Sequence, residues 1–222
     1  MTDEPMTDEP MADEMVFYTN PMSRGRVVRW MLEEVGRPYR TELLDYGSMK
    51  TLAYLSINPM GKVPAISHGG TVVTETAAIC AYLADAFPEA GLAPAPGDRR
   101  RGPYYRWLFF GAGPIEAAVT NTSFGFTMPE GGEGRAGYGS IAAVMGALEG
   151  AAAHGGFLDG EAFTAADLYV GSQIGWGMMF GTIEKRPALE RYWERISARP
   201  AAVRAFGIDD ALMPAQAAPG SS

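Results

Sequence analysis

The sequence predicts a two-part chain, an α/β unit followed by an all-α unit, and three observations carry that reading. Short apolar runs and helix-period segments alternate over residues 15–87 as β-α-β-α-β-β-α. Residues 88–97 are broken by Pro88, Gly91, Pro94, Pro96 and Gly97, a stiff linker with no helical content. Over residues 98–210 the apolar spacing is that of helices alone, as in a helical bundle.

Order is expected to begin at Met15. Val16, Phe17, Tyr18 and Thr19 are a short run of strand formers. Asn20, Pro21, Met22 and Ser23 read as a loop, because proline disfavours helix at the residue before it. A helix over 24–35 presents Val27, Val28, Met31, Leu32 and Val35 on one face and stops at Gly36. Residues 39–44 read as a second strand and 46–55 as a short helix or irregular segment. Two strand-like runs at 63–67 and 71–74, separated by His68, Gly69 and Gly70, form a hairpin pattern. Pro64 cannot donate to a ladder and belongs at a strand start or edge. A cis bond between Val63 and Pro64 would let free backbone groups point outward into a cleft. Glu75 and Thr76 then open a helix built on Ala78, Ile79, Tyr82 and Leu83, which Pro88 ends. This order of elements is the thioredoxin-like arrangement.

Beyond the linker the first helix spans 98–119, with a kink expected at Gly111-Ala112-Gly113-Pro114. Residues 121–139 are glycine-rich and read as a loop, long enough to act as a flap, followed by a helix over 140–154. The next helix has the clearest start signal in the chain. Thr164 caps it, Asp167 returns the bond three residues later, and Phe163 with Leu168 supplies a hydrophobic staple. Its body, 168–180, is the expected central helix, and shorter helices follow at 187–198 and 200–206.

Composition excludes several function classes. The chain has 222 residues, 47% hydrophobic and 20% charged, as expected of a protein with a real core. No apolar run approaches the ~20 residues a bilayer span needs, and a net charge of −8 disfavours nucleic acid or an anionic membrane as partner. The one cysteine, Cys80, allows no intrachain disulfide, suits a reducing cytoplasmic setting, and reads as a small buried hydrophobe. One cysteine and two histidines do not build a zinc site, so no metal is expected; His68 and His154 read as solvated loop residues. Residues 1–14 repeat an acidic Met-Thr-Asp-Glu-Pro unit and are expected to be disordered, and the flexible tail 211–222 is expected to fray.

A strand edge beside a helix N-terminus is a trap for a small peptide bearing carboxylates, since free backbone groups and the helix dipole both face it. Val63-Pro64-Ala65-Ile66 followed by Glu75-Thr76 resembles the Val-Pro-x-Leu/Ile and Glu-Ser elements of glutathione S-transferases; Thr keeps the hydroxyl of the usual Ser. The resemblance covers roughly residues 15–206 and leaves the subclass open. It implies glutathione as co-substrate, a small, apolar electrophile as second substrate, a role in detoxification, and a homodimer. Glu75 would then pair with the α-ammonium, Thr76 and nearby N–H groups with its α-carboxylate, and Lys62 with the glycyl carboxylate. Val63 would add the cysteinyl unit as a strand beside Pro64.

Catalysis in that family means favouring the glutathione thiolate, so a donor is required in the loop after the first strand. Ser23 is the first choice, because its hydroxyl precedes the first helical turn, where it would also serve as an N-cap. Tyr18 is the runner-up and Asn20 the third; Arg24 and Arg26 would add positive potential. For the electrophile, Tyr104, Trp107, Phe110 and Trp176 are candidate pocket residues, with Ile115 and the segment 176–180 nearby. Alternatives on the same site are a glutathione-dependent isomerase, dehalogenase or peroxidase. From a different class comes a non-catalytic module of the same fold used for regulation or assembly, against which the paired carboxylate anchors weigh.

Overall fold

The computed structural model describes residues 14–158 and 160–213. The expected acidic tail therefore lies outside the described residues except for Glu14, which pairs with Arg40 at 2.8 Å, and the C-terminal tail except for its first three residues.

A four-stranded sheet runs in the order β2-β1-β3-β4, with β1 (Met15–Thr19), β2 (Arg40–Leu43), β3 (Ala65–His68) and β4 (Thr71–Thr74). β1 is parallel to β2 and antiparallel to β3, and β3 is antiparallel to β4. Phe17 faces Ile66 across the sheet, and both are fully buried. The hairpin is tighter than its sequence pattern suggests. His68 pairs with Thr71 as the last residue of β3, so the turn is Gly69-Gly70 alone, with φ of 54° and 81°. Such angles suit glycine in a two-residue turn. His68 is accordingly not a solvated loop residue; it is half-buried, its Nδ1 lies 2.9 Å from the Tyr82 hydroxyl, and its ring packs on Phe87.

Helix α1 (Gly25–Val35) ends at Gly36, whose φ of 72° lets its N–H reach the Leu32 carbonyl. Val27, Val28, Met31 and Leu32 are buried as their spacing predicts, and so are Arg29 and Trp30, because α1 is covered on two sides. It packs against α3 (Thr76–Ala86), and also against helices of the second part, α7 (Ala165–Phe180) and α9 (Pro200–Ala211). Between β2 and β3 lie a single turn at 48–50 and the short α2 (Leu52–Leu55).

The expected long helix is α4 (Arg101–Phe110) and α5 (Glu116–Ser123), joined by a wide π-helical turn, Gly111–Ile115. Pro114 has no N–H to close an ordinary turn, which accounts for the interruption. Gly111 sits against the Tyr169 ring, where a Cβ would come within 2.7 Å of Cε1, and Gln173 Nε2 donates to its carbonyl at 3.1 Å. Helix α6 (Ile141–Ala153) is capped by Ser140, which accepts from the Ala143 N–H. At the start of α7 the Asp167 carboxylate accepts from Thr164 N–H and hydroxyl, Leu158 N–H and Tyr192 hydroxyl, at 2.7–2.9 Å. Phe163, just before the cap, stacks on Trp30 of α1.

After α8 (Pro187–Ser197), α9 continues five residues past the expected end at Phe206. What extends it is a buried ion pair: Arg29 Nε donates to Asp209 Oδ1 at 2.7 Å, with side chains 2% and 0% exposed. Arg29 also lies over the Phe17 ring. One apolar core runs from the sheet through α1 and α3 into α4, α7 and α8.

Candidate functional site

The cleft between the sheet edge and the helical part is built first from the turn before β3. Asn58 is buried; its Nδ2 donates to the Lys62 carbonyl at 2.7 Å and its Oδ1 accepts from the Met60 N–H at 3.0 Å. The Tyr54 hydroxyl donates to the same carbonyl at 2.7 Å. Lys50 Nζ holds the Gly61 carbonyl at 3.0 Å, and a Cβ at Gly61 would meet the Met49 carbonyl oxygen at 2.7 Å. These contacts fix the chain that enters Val63. The Val63–Pro64 bond is cis, and both ladders of β3 stop at Ala65, so the backbone groups of Val63 are not taken up by the sheet.

On the other wall Glu75 precedes α3 with φ 66° and ψ 121°, a conformation that side-chain-bearing residues rarely hold. Its carbonyl accepts the Ile79 N–H at 2.9 Å, so the strained residue begins the helix. Thr76 is its first residue and is buried. Lys62, Val63, Pro64, Glu75 and Thr76 all line one cavity of about 210 Å³, together with Asn58, Arg24, Ala112, Glu116 and Tyr169. The structure thus brings the five expected glutathione residues into one wall system.

Arg24 and Glu116 also line an adjoining cavity of about 400 Å³, otherwise shaped by Met22, Ser23, Ile115, Val119, Trp176 and Phe180. A third, of about 570 Å³, shares Met22, Ser23, Trp176 and Phe180 and extends to Met179, Trp193 and Phe206. These two are mostly apolar, while the first is mostly polar.

Of the donor candidates, Ser23 lines the walls of both apolar spaces, and Tyr18 and Asn20 line none of the three cavities. Its hydroxyl donates to the Asn20 carbonyl at 2.6 Å and accepts from the Gly25 N–H at 3.0 Å. Asn20 braces the loop instead, with Nδ2 donating to the Leu44 carbonyl and Oδ1 accepting from the Met22 N–H. Tyr18 packs its ring near Tyr54, centroids 5.9 Å apart. Arg26 pairs with Asp210 at 2.6 Å on the rim of the third cavity.

The structure places the four electrophile candidates unequally. Trp176 lines both apolar cavities, but Tyr104 and Trp107 are buried in the bundle, and Trp107 Nε1 donates to the Leu158 carbonyl at 3.0 Å. Phe110 packs on Trp107 and lines none of the three spaces. The reason is that α4, which packs against α7, turns Tyr104 and Trp107 inward, and the cleft is lined from the π turn onward, by Ala112, Ile115, Glu116 and Val119. The Arg24–Glu116 contact was not expected, because its members stand on elements far apart in sequence. Spacing carries no signal for such a pair.

Comparison with known proteins agrees with this arrangement. Residues 22–86 match the model of the glutathione S-transferase N-terminal domain, and residues 136–200 that of the C-terminal domain. The crystal structure of a glutathione transferase from Methylococcus capsulatus str. Bath is 31% identical with a TM-score of 0.74, over 89% of this chain and 99% of that one. A sphingomonad glutathione S-transferase complexed with glutathione is 29% identical with a TM-score of 0.72, over 88% and 98%. Protein LigF of Sphingobium sp. shares 53% identity over 45 residues, 20% of this chain and 18% of that protein. Glutathione S-transferase GST-4.5 of Xanthomonas campestris pv. campestris shares 33% over 100 residues, 43% of this chain and 47% of that protein. The matched stretches thus span less than half of these two relatives. With both domain models matched in order and the Methylococcus structure covered almost end to end, the chain belongs to the glutathione S-transferase family.

Proposed function

We propose that this chain is a glutathione transferase that favours the thiolate of glutathione for attack on a small, apolar electrophile. The observation that carries the reading is one polar cavity lined by Lys62, Val63, Glu75 and Thr76, opening beside an apolar one that Ser23 lines. Glu75 is the partner of the α-ammonium; the Thr76 hydroxyl and the N–H groups at the start of α3 hold the α-carboxylate. Val63 adds the cysteinyl unit as a short antiparallel strand, and Lys62 meets the glycyl carboxylate as a point charge.

A free thiol has a pKa of about 8.5, so little is ionised at neutral pH. A donor at the sulfur favours the anion. Ser23 serves by turning its proton from the Asn20 carbonyl to the sulfur, while the Gly25 N–H keeps the oxygen in place. A glutathione-dependent isomerase, dehalogenase or peroxidase would use the same polar cavity, and the electrophile decides among them. A non-catalytic module has no physical need for both carboxylate anchors. The reading includes a cytoplasmic homodimer; exposed Phe109 and Tyr105, beside an apolar hollow of about 280 Å³ along α3, support the second copy.

Calorimetric titration with glutathione, followed by its ultraviolet thiolate absorbance, tests the whole. Binding with ionisation near neutral pH is the expected result, and no binding would overturn the reading in favour of an assembly module. Ser23→Ala is expected to lower turnover far more than glutathione affinity, and Tyr18→Phe to change neither. If the rate survives Ser23→Ala and collapses in Tyr18→Phe, the donor is Tyr18.

A further inference from the structure

Arg24, just before α1, and Glu116, at the start of α5, meet across the cleft, Nη2 to Oε1 at 2.5 Å. Both side chains line the polar cavity and the adjoining apolar one. With 54% and 37% of their side-chain surfaces exposed, they form the kind of ion pair that contributes little to stability. The two parts of the chain are joined more firmly elsewhere, by the buried Arg29–Asp209 pair and the two-pronged Arg199–Glu34 contact. The π-helical turn ends where Glu116 begins α5, and Ala112 within it lines the same polar cavity. Wide turns inside α-helices recur at functional sites.

Resting on the glutathione reading above, we propose that the Arg24–Glu116 pair sets how strongly the bound thiolate is favoured. Arg24 follows Ser23 directly and stands on the wall common to both cavities, where its cation favours an anionic sulfur. Glu116 is a positioning residue: it holds the guanidinium at that wall and offsets part of its charge. The other groups facing the junction are Lys62, Glu75 and, from α7, Tyr169. Burial pushes the Tyr169 phenol well up, with Cys80, Glu116 and Glu75 raising it further and Arg24 lowering it. Lys62 and Glu75 are matched by the charges of glutathione itself. Arg26 and Asp210, on the third cavity that Ser23 also lines, are paired with each other, which leaves Arg24 and Glu116 as the charged pair at the junction of the polar and apolar cavities.

The test is the pH midpoint of thiolate absorbance for glutathione bound to the wild type, Arg24→Gln and Glu116→Gln. Arg24→Gln is expected to raise the midpoint by about one unit, which is tenfold less thiolate well below it. Glu116→Gln keeps an acceptor for the guanidinium, removes the like charge and is expected to lower the midpoint. A pair that is only a strut would move both midpoints the same way or neither, and either result overturns the proposal. A wild type that binds and ionises glutathione beside unmoved variants overturns this inference alone. A wild type that binds no glutathione overturns the reading beneath it as well.

Discussion

Glu75 sits at φ 66°, and a side-chain-bearing residue held there costs about 1–3 kcal/mol. Its carboxylate lines the polar cavity, and its carbonyl starts α3. Strain and function separate in one substitution. Glu75→Gly removes the strain and the carboxylate together. It is expected to unfold at an equal or higher denaturant concentration, yet to lose on the order of 1–3 kcal/mol of glutathione binding by calorimetry. A less stable variant with unchanged affinity would make Glu75 a structural residue only. At this scale the wall of the polar cavity was legible in the sequence, because Val63-Pro64 and Glu75-Thr76 stand just before a strand start and at a helix start. The apolar wall was less so. Tyr104, Tyr105, Trp107, Phe109 and Phe110 crowd every side of α4, so no apolar stripe shows which of them face the cleft. Nor does any local pattern join Arg24 to Glu116, which lie 92 positions apart.

Among the elements, α7 and α9 show why one helix could be read and the other only in part. The bonds that start α7 run from Asp167 to Thr164, within one turn, and are written in consecutive residues. The last turns of α9 contain Gly207 and two aspartates, which reads as a helix end, and depend on Arg29, 180 positions away. Desolvating this pair is costly, and removing one partner strands the other charge in the core. Asp209→Ala is therefore expected to cost about 3–5 kcal/mol in urea unfolding. Replacing both members, Arg29→Met with Asp209→Leu, is expected to recover most of that loss, because no buried charge remains. If the double variant is as unstable as the single one, the helix is held by the ion pair itself rather than by avoidance of an unpaired charge.

For the molecule as a whole, the continuous core means that the sheet-bearing part and the helical part share one buried surface. Cys80 reports on it. The residue is fully buried on α3, which packs against α4 and α7, and burial pushes its thiol up to about 12. Two barriers therefore stand between Cys80 and a thiol reagent: access, and the scarcity of thiolate, which is the reactive form. Neither is lifted by access through the cleft, since Cys80 lines none of its three cavities. Only separation of α3 from the helical part exposes it. Cys80 is expected to stay unlabelled in the native protein at neutral pH, and to react along the denaturant curve that far-ultraviolet circular dichroism traces. Coincidence of the two curves would make the chain a single cooperative unit despite its two family domains. Labelling well before helix loss would mean that the two parts come apart while each remains folded, and the cleft between them would then be free to open without unfolding either wall.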